Sequence, residues 1–284
     1  MEIIPLASES MGTRSMATFI ETDDLCILFD PGVSLLKDKK GLQPHSLETW
    51  RLKQHLERIQ LFANKADIVI LSHFHPSHIA KKLSVYSGKS VYLKNPNQQT
   101  DPDQRCIAFG LMQQLKGVAK EILFADGRTV RRGDTKIVFS NAVPHGEEGG
   151  SVIQIFIHSK ENSLLITSDV EGPLTNQACE FIIDQQPKTL YLDGLPTGKP
   201  GFSQVRFTQG LERFEKLLDS LNLERVVLDH HLLRDIEWEA KFNAFLQLGK
   251  KKKVAVITAA CLRGEENDVF EARREQLYAN DKIL

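Results

Sequence analysis

Leu71-Ser72-His73-Phe74-His75-Pro76-Ser77-His78-Ile79-Ala80 (LSHFHPSHIA) concentrates three of the chain's nine histidines within six positions. The stretch before it, Ala66-Asp67-Ile68-Val69-Ile70, is a short apolar run rich in β-branched residues, which predicts a buried strand. Alternate residues leaving a strand end point the same way, so His73 and His75 are expected to share one face. Ser77 stands between His75 and His78. A surface-loop cluster is the plain alternative, and the rest of the chain decides between the two.

Catalytic groups commonly sit on loops just beyond strand ends, held by a rigid scaffold. The run Cys26-Ile27-Leu28-Phe29 ends in Asp30-Pro31-Gly32, and Lys136 to Ser140 is followed by Asn141-Ala142-Val143-Pro144-His145-Gly146. Leu164-Leu165-Ile166-Thr167 runs into Ser168-Asp169, and Val226-Val227-Leu228 into Asp229-His230-His231. Taken singly, Asp-Pro-Gly is usually a turn and Pro-His-Gly usually a loop. Ionisable groups at all of these ends together make coincidence the poorer reading. Imidazole nitrogens with a carboxylate bridge suit zinc, iron or manganese, with a coordination position left for water.

At 284 residues the chain accommodates one large α/β domain or two joined ones. Apolar residues make up 41% and charged residues 26%, which fits a globular protein and excludes long disorder. The net charge of −1 gives no indication of nucleic acid or an anionic membrane as partner. Cys26, Cys106, Cys179 and Cys261 form no Cys-x-x-Cys pair and are expected to be mostly buried thiols. The N-terminus MEIIPLASES lacks the pattern of a signal peptide, and no apolar run reaches about 18 residues, so a cytoplasmic protein without a membrane span is expected.

Strand candidates recur at Ala17–Glu21, Leu25–Phe29, Ile68–Leu71, Ser90–Leu93, Lys136–Ser140, Val152–Ile157, Leu164–Thr167, Thr189–Leu192, Arg225–Leu228 and Val254–Ile257. Helical spacing marks 46–63, 103–115, 174–184, 208–221, 236–248 and 269–279. The mixed order predicts two packed sheets with helices outside. Lys250–Lys253 reads as a solvated loop, with a phosphate-contacting patch as the alternative. Lys37–His45 reads equally as a cover over a site or as an ordinary surface loop.

These residues resemble the metallo-β-lactamase fold superfamily, whose five motifs occur in this order over most of the chain. Asp30, then His73-Phe74-His75-Pro76-Ser77-His78, then His145, Asp169 and His230 match an early Asp, His-x-His-x-Asp-His, a single His, a bridging Asp and a last His. Gly12-Thr13-Arg14-Ser15-Met16-Ala17-Thr18, Asp-Pro-Gly-Val and Asp-His-His-Leu-Leu-Arg-Asp further resemble a group of archaeal-type metal-dependent hydrolases within it. The resemblance implies a four-layer αββα sandwich over one domain, residues 1–284, with metal at one edge between the sheets. It implies that His73, His75 and His145 hold one ion, and that Asp169 bridges to a second held by His78 and His230. Asp30 would orient a ligand histidine. His231 is the alternate for His230, because neighbours in an extended chain point apart.

The superfamily pattern has Asp where this chain has Ser77, and a hydroxyl is a poorer ligand for a dication, so the second site is expected to be weakened. Three readings follow: one tightly held ion, a substitute carboxylate from Glu171 or Asp229, or a binding role without hydrolysis. The expected chemistry uses zinc, as one or two ions, with iron or manganese as alternatives. Metal-bound water or hydroxide would attack an ester-like or phosphodiester bond, with Asp30 and Asp169 as the catalytic carboxylates. Arg14 and Ser15 are candidates to contact an anionic substrate group. The rivals are a non-catalytic metal-binding or interaction protein, a mononuclear iron oxygenase and a nuclease, although no basic excess supports the last. Oligomeric state is not legible.

Overall fold

The computed structural model describes residues 1–146 and 149–281. Its first sheet has six strands in the order Glu2–Pro5, Thr18–Glu21, Cys26–Phe29, Ile68–Leu71, Ser90–Leu93 and Glu121–Phe124. The first three are antiparallel neighbours, and from Cys26–Phe29 onward the pairing is parallel. A second, seven-stranded sheet runs Ala255–Ile257, Arg225–Asp229, Thr189–Asp193, Asn162–Ile166, Ile155–Ser159, Thr135–Phe139, Thr129–Arg132.

Period-two alternation explains the layering. Along Cys26–Phe29 and Ile68–Leu71, the residues Ile27, Phe29, Ile68 and Ile70 enter the core between the sheets, where they join Ile137, Ile155, Ile157, Leu164 and Ile166. The intervening Leu28, Val69 and Leu71 pack outward with Ile59, Ala63, Ala108 and Leu111 from the helices Ser46–Ala63 and Pro102–Leu115. On the other side Leu165, Leu190, Leu192, Val226 and Leu228 meet Ile182, Phe214, Leu217 and Phe245. Three apolar layers between four structural layers give the αββα sandwich. Helix Ser46–Ala63 is set by a capping box in which Glu48 accepts from the His45 amide, and His45 Nδ1 accepts from the Leu47 amide.

Several expectations are corrected. The Val152–Ile157 run splits: Ser151–Val152 pairs with Val143–Pro144 in a small ribbon, while Ile155–Ser159 joins the large sheet. Between them Gln154 is buried and bonded through its backbone N–H to Ser140 Oγ and through its side-chain amide to Ala178 O. The helix read over 236–248 is two, Trp238–Lys241 and Asn243–Lys252, and the one read over 269–279 starts only at Arg274. Lys250–Lys252 form a last helical turn with Lys253 as a left-handed cap, where cations favour the negative end of the helix dipole. The cysteines are not mostly buried: Cys106 and Cys261 are exposed, and Cys26 and Cys179 half-buried. Among the described residues no helix is long and apolar enough to cross a membrane.

Candidate metal centre

The strand ends named above converge on the Asp169 carboxylate, which is buried. His73 Nε2 lies 3.3 Å and His75 Nδ1 3.2 Å from Oδ2, and His145 Nε2 lies 3.2 Å from Oδ1. His78 Nε2 is 3.6 Å from Oδ2 and His230 Nε2 3.5 Å from Oδ1. The backbone makes this approach at a conformational cost. Asp30, Ser168, Glu171 and His230 all adopt positive φ, of 41°, 59°, 53° and 66°, a region most L-residues avoid and one that gathers at functional sites. Gly32 is required for another reason: a Cβ there would sit 2.1 Å from the Ile79 amide nitrogen and 2.3 Å from the His78 carbonyl carbon.

Hydrogen bonds at the outer ring nitrogens decide which nitrogen faces inward. Asp30 Oδ2 lies 2.9 Å from His78 Nδ1, and Glu9 Oε2 lies 2.8 Å from His230 Nδ1. Each carboxylate accepts the Nδ1 proton and leaves the Nε2 lone pair toward Asp169. Ser72 Oγ donates to Asp30, so it accepts from His73 Nδ1 at 2.9 Å, which again leaves Nε2 inward. The Nε2 atoms of His73, His78 and His145 and Oδ1 of Asp169 are buried with no hydrogen-bond partner among the described residues. Unpaired buried polar atoms are costly. Four of them around one point form a donor set that fits a divalent cation of the zinc or iron kind.

The local charges divide the histidines into two groups. Burial, then the neighbouring imidazoles, hold His73 below the ordinary histidine range, and burial holds His78 there against the pull of Asp169; neutral rings are what a ligand role needs. Burial opposes charging of His145 and His230, but Asp169, with Glu9 for His230, outweighs it and pushes them up to about 9 and about 10. Asp169 stays well below the carboxylate range because His231, His145 and His230 overcome its burial.

A sequence profile of the metallo-beta-lactamase superfamily matches residues 12–81. A UPF0282 protein of Korarchaeum cryptofilum is 40% identical over 98% of this chain and 94% of its own length. The chain belongs to the UPF0282 family. The profile match, over residues 12–81 alone, is a similarity to the metallo-β-lactamase superfamily. Among solved structures, Igni18, a metallo hydrolase from Ignicoccus hospitalis, superposes with a TM-score of 0.52 at 17% identity, covering 90% of this chain and 93% of its own. An isothiocyanate hydrolase from Delia radicum gut bacteria gives 0.55 at 14% identity, covering 86% and 94%. At such identities these two show the fold alone.

In this UPF0282 protein both members of the last histidine pair reach the centre. His231 Nδ1 is 3.2 Å from Asp169 Oδ1, because His230 is left-handed and starts a 3-10 turn, His230–Arg234, instead of extending the strand. The expectation that neighbours point apart is thereby corrected. The two differ in chemistry: His231 Nδ1 is also held by Asp193 at 3.0 Å, whereas His230 presents Nε2 inward. Ser15 is corrected as well. It is fully buried, donates to Gly32 O, accepts from the Ala17 amide and does not line the cavity over the centre. Arg14 does line that cavity, locked in a two-pronged ion pair with Glu271 at 2.6 Å. Of the two substitute carboxylates, Asp229 is occupied by the amides of Ser10, His230 and Ala259, which makes it a cap. Glu171 lines the cavity, with Oε1 on Lys199 and Oε2 buried without a partner among the described residues.

Sequence reading missed Glu9, Gln104 and Asp193. Asp193 is the last residue of strand Thr189–Asp193, close to the strand-end positions of Asp30 and Asp169, so a rule reading the ends of strands would have found it. Gln104 lies on helix Pro102–Leu115; its Oε1 accepts the Phe74 amide and its Nε2 lies 3.0 Å from His75 Nε2. Since Oε1 is committed, the amide donates to His75 Nε2 and the proton of that ring sits on Nδ1, facing Asp169. Nothing local marks Glu9 or Gln104 in the sequence.

Proposed function

We propose that the chain is a metal-dependent hydrolase of an ester-like or phosphodiester bond, working at one firmly held divalent ion with a weaker second site. The observation that carries this reading is the convergence of the unpartnered, buried Nε2 atoms of His73, His78 and His145 on Asp169. His73 and His145 would hold the firm ion, with His75 joining once its proton leaves Nδ1, Asp169 would bridge, and His78 and His230 would complete the weaker site. A nitrogen-rich set with a single carboxylate favours zinc, then iron, over manganese. When bound, the ion would acidify a water and polarise the scissile oxygen.

The chain's own groups have defined parts. Asp30 and Glu9 hold the His78 and His230 protons on Nδ1, Ser72 does so for His73, and Arg234 keeps Glu9 ionised through bonds of 2.9 and 2.7 Å. Ser77 lines the cavity in place of a carboxylate, and the nearby carboxylates of Asp30, Glu9, Asp193 and Asp229 are bound elsewhere. That supports a weak second site. The unpartnered Oε2 of Glu171 favours one alternative, in which this carboxylate supplements the donors. The reading takes residues 1–284 as one domain in a cytoplasmic setting.

Hydrolysis of bis(p-nitrophenyl) phosphate and of a simple thioester by zinc-loaded wild type, His145→Ala and Ser77→Asp tests it. Turnover lost in His145→Ala and a second zinc gained in Ser77→Asp are expected. Metal binding without turnover of any ester would favour the non-catalytic alternative, and iron in freshly purified protein would favour an oxygenase.

A further inference from the structure

A cavity of about 1190 Å³ opens over His75, His145, Asp169 and His231. It exceeds the roughly 300–1,000 Å³ usual for drug-sized ligands. Its lining divides by chemistry. Helix Ser46–Ala63 turns Leu52 and Leu56 to it, four residues apart and so on one helical face, and the loops after Gly32 and His78 add Val33, Leu35, Leu36 and Ile79. Leu56 is 38% exposed although it is aliphatic.

Cations make up most of the charged lining. Lys37, Lys39 and Lys40 come from the loop that follows Asp30-Pro31-Gly32, with Lys81, Lys199, Arg14 and Arg234 from other segments, against Asp169, Glu171 and Glu271. Because the whole chain carries −1, this positive excess is local and not a property of the surface at large. Arg14 and Arg234 are neutralised by Glu271 and Glu9, and Lys40 by Glu275. Lys37 and Lys81 have no ion-pair partner among the described residues.

The loop carrying these lysines is fastened. Arg274, fully buried, donates to Leu36 O and Leu42 O while paired with Glu48, and Lys39 Nζ donates to Glu271 O. The lining is therefore pre-formed, and an aliphatic wall and cationic groups flank the same centre.

We propose that this cavity takes an amphiphilic anion, a substrate with an aliphatic chain and a phosphate or carboxylate group. The aliphatic part lies along Leu52, Leu56 and Leu36, and the anionic group is met by Lys37 and Lys81. The assignment of the bond cleaved rests on the hydrolase reading; the binding itself does not. The ligand chemistry has two sources, a soluble single-chain ester or a membrane lipid headgroup.

The test is calorimetric binding to metal-free full-length protein of octyl phosphate below its micelle threshold, methyl phosphate and octyl glucoside. Octyl phosphate is expected to bind about tenfold or more tightly than either control, because only it satisfies both walls. Leu56→Asp and the double variant Lys37→Glu/Lys81→Glu are each expected to weaken it about tenfold, with melting temperature unchanged. Cosedimentation with phosphatidic acid vesicles would assign a lipid source, and its absence a soluble one. Equal binding of all three probes, or octyl phosphate binding unmoved by both variants, overturns the inference even if short esters are hydrolysed. Tight octyl phosphate binding with no turnover of any ester leaves it standing and removes the hydrolase reading alone.

Discussion

Asp30 Oδ2 lies 2.9 Å from His78 Nδ1, with both side chains fully buried, and the far nitrogen of the same ring faces Asp169. The carboxylate thereby fixes the tautomer that can bind a cation. Asp30→Asn leaves the shape intact but can present an amide donor where the acceptor stood. Zinc affinity is expected to fall about 10- to 100-fold, measured by competition with a fluorescent chelator. An unchanged affinity would remove Asp30 from the centre.

Gln104 acts in the opposite sense on His75. Its amide donates to Nε2 and keeps the ring proton on the nitrogen that faces Asp169. In Gln104→Glu one carboxylate accepts both the Phe74 amide and His75 Nε2–H, so Nδ1 becomes a lone pair. Zinc binding is expected to tighten about tenfold, and the His75 ring nitrogens should exchange proton occupancy in nitrogen-detected NMR of the zinc-free protein. Weaker binding, with the proton still on Nδ1, would contradict this role.

Gly32 is where the Asp30-Pro31-Gly32 turn meets the histidine loop. With a Cβ, Gly32→Ala would overlap the backbone of His78 and Ile79. Backbone cannot rotate away as a long side chain can, so a loss of about 2–4 kcal/mol is expected in urea unfolding. A loss below about 0.5 kcal/mol, the range of an ordinary surface change, would show that the two loops separate easily.

His55, buried beneath the Gly12–Thr13 turn, shares a hydrogen bond of 2.7 Å between its Nδ1 and the Thr13 hydroxyl. Burial, then Arg58, Arg51 and Arg263, push it down to about 3. Its folded pKa is below the unfolded value near 6.5, so the unfolded chain binds the proton first. The stabilising contribution is complete above pH 6.5 and is lost as pH falls toward 3. The loss is on the order of a few kcal/mol. His55→Gln, which keeps a hydrogen-bond partner for Thr13, is expected to flatten the stability profile of metal-free protein between those limits, followed by thermal unfolding at stepped pH.

The sandwich was legible because its central strands are uninterrupted apolar runs: Ile68–Leu71 and Ser90–Leu93 were read with their observed bounds. The weak strands were not. Thr129–Arg132 has only Val130 as an apolar residue and is largely exposed, while Glu2–Pro5 lies at a sheet edge with a proline as its last residue. At the centre, the histidines and Asp169 announced themselves by their place after strands. Glu9 and Gln104 reach His230 and His75 only through contacts distant in sequence, which leave no local spacing to read. The joint approach of His230 and His231 depends on one left-handed residue, which a rule for extended chain cannot foresee.

Zinc content after equilibrium dialysis of wild type and Asp169→Ala, with folding of both checked by circular dichroism, tests the meeting of these side chains around a cation most directly. Wild type should retain at least about one equivalent, and the folded variant should lose most of it. Equal zinc in the two, or none in wild type at any pH from about 7 to 9, where ligand histidines can give up their protons, would contradict a metal centre at Asp169.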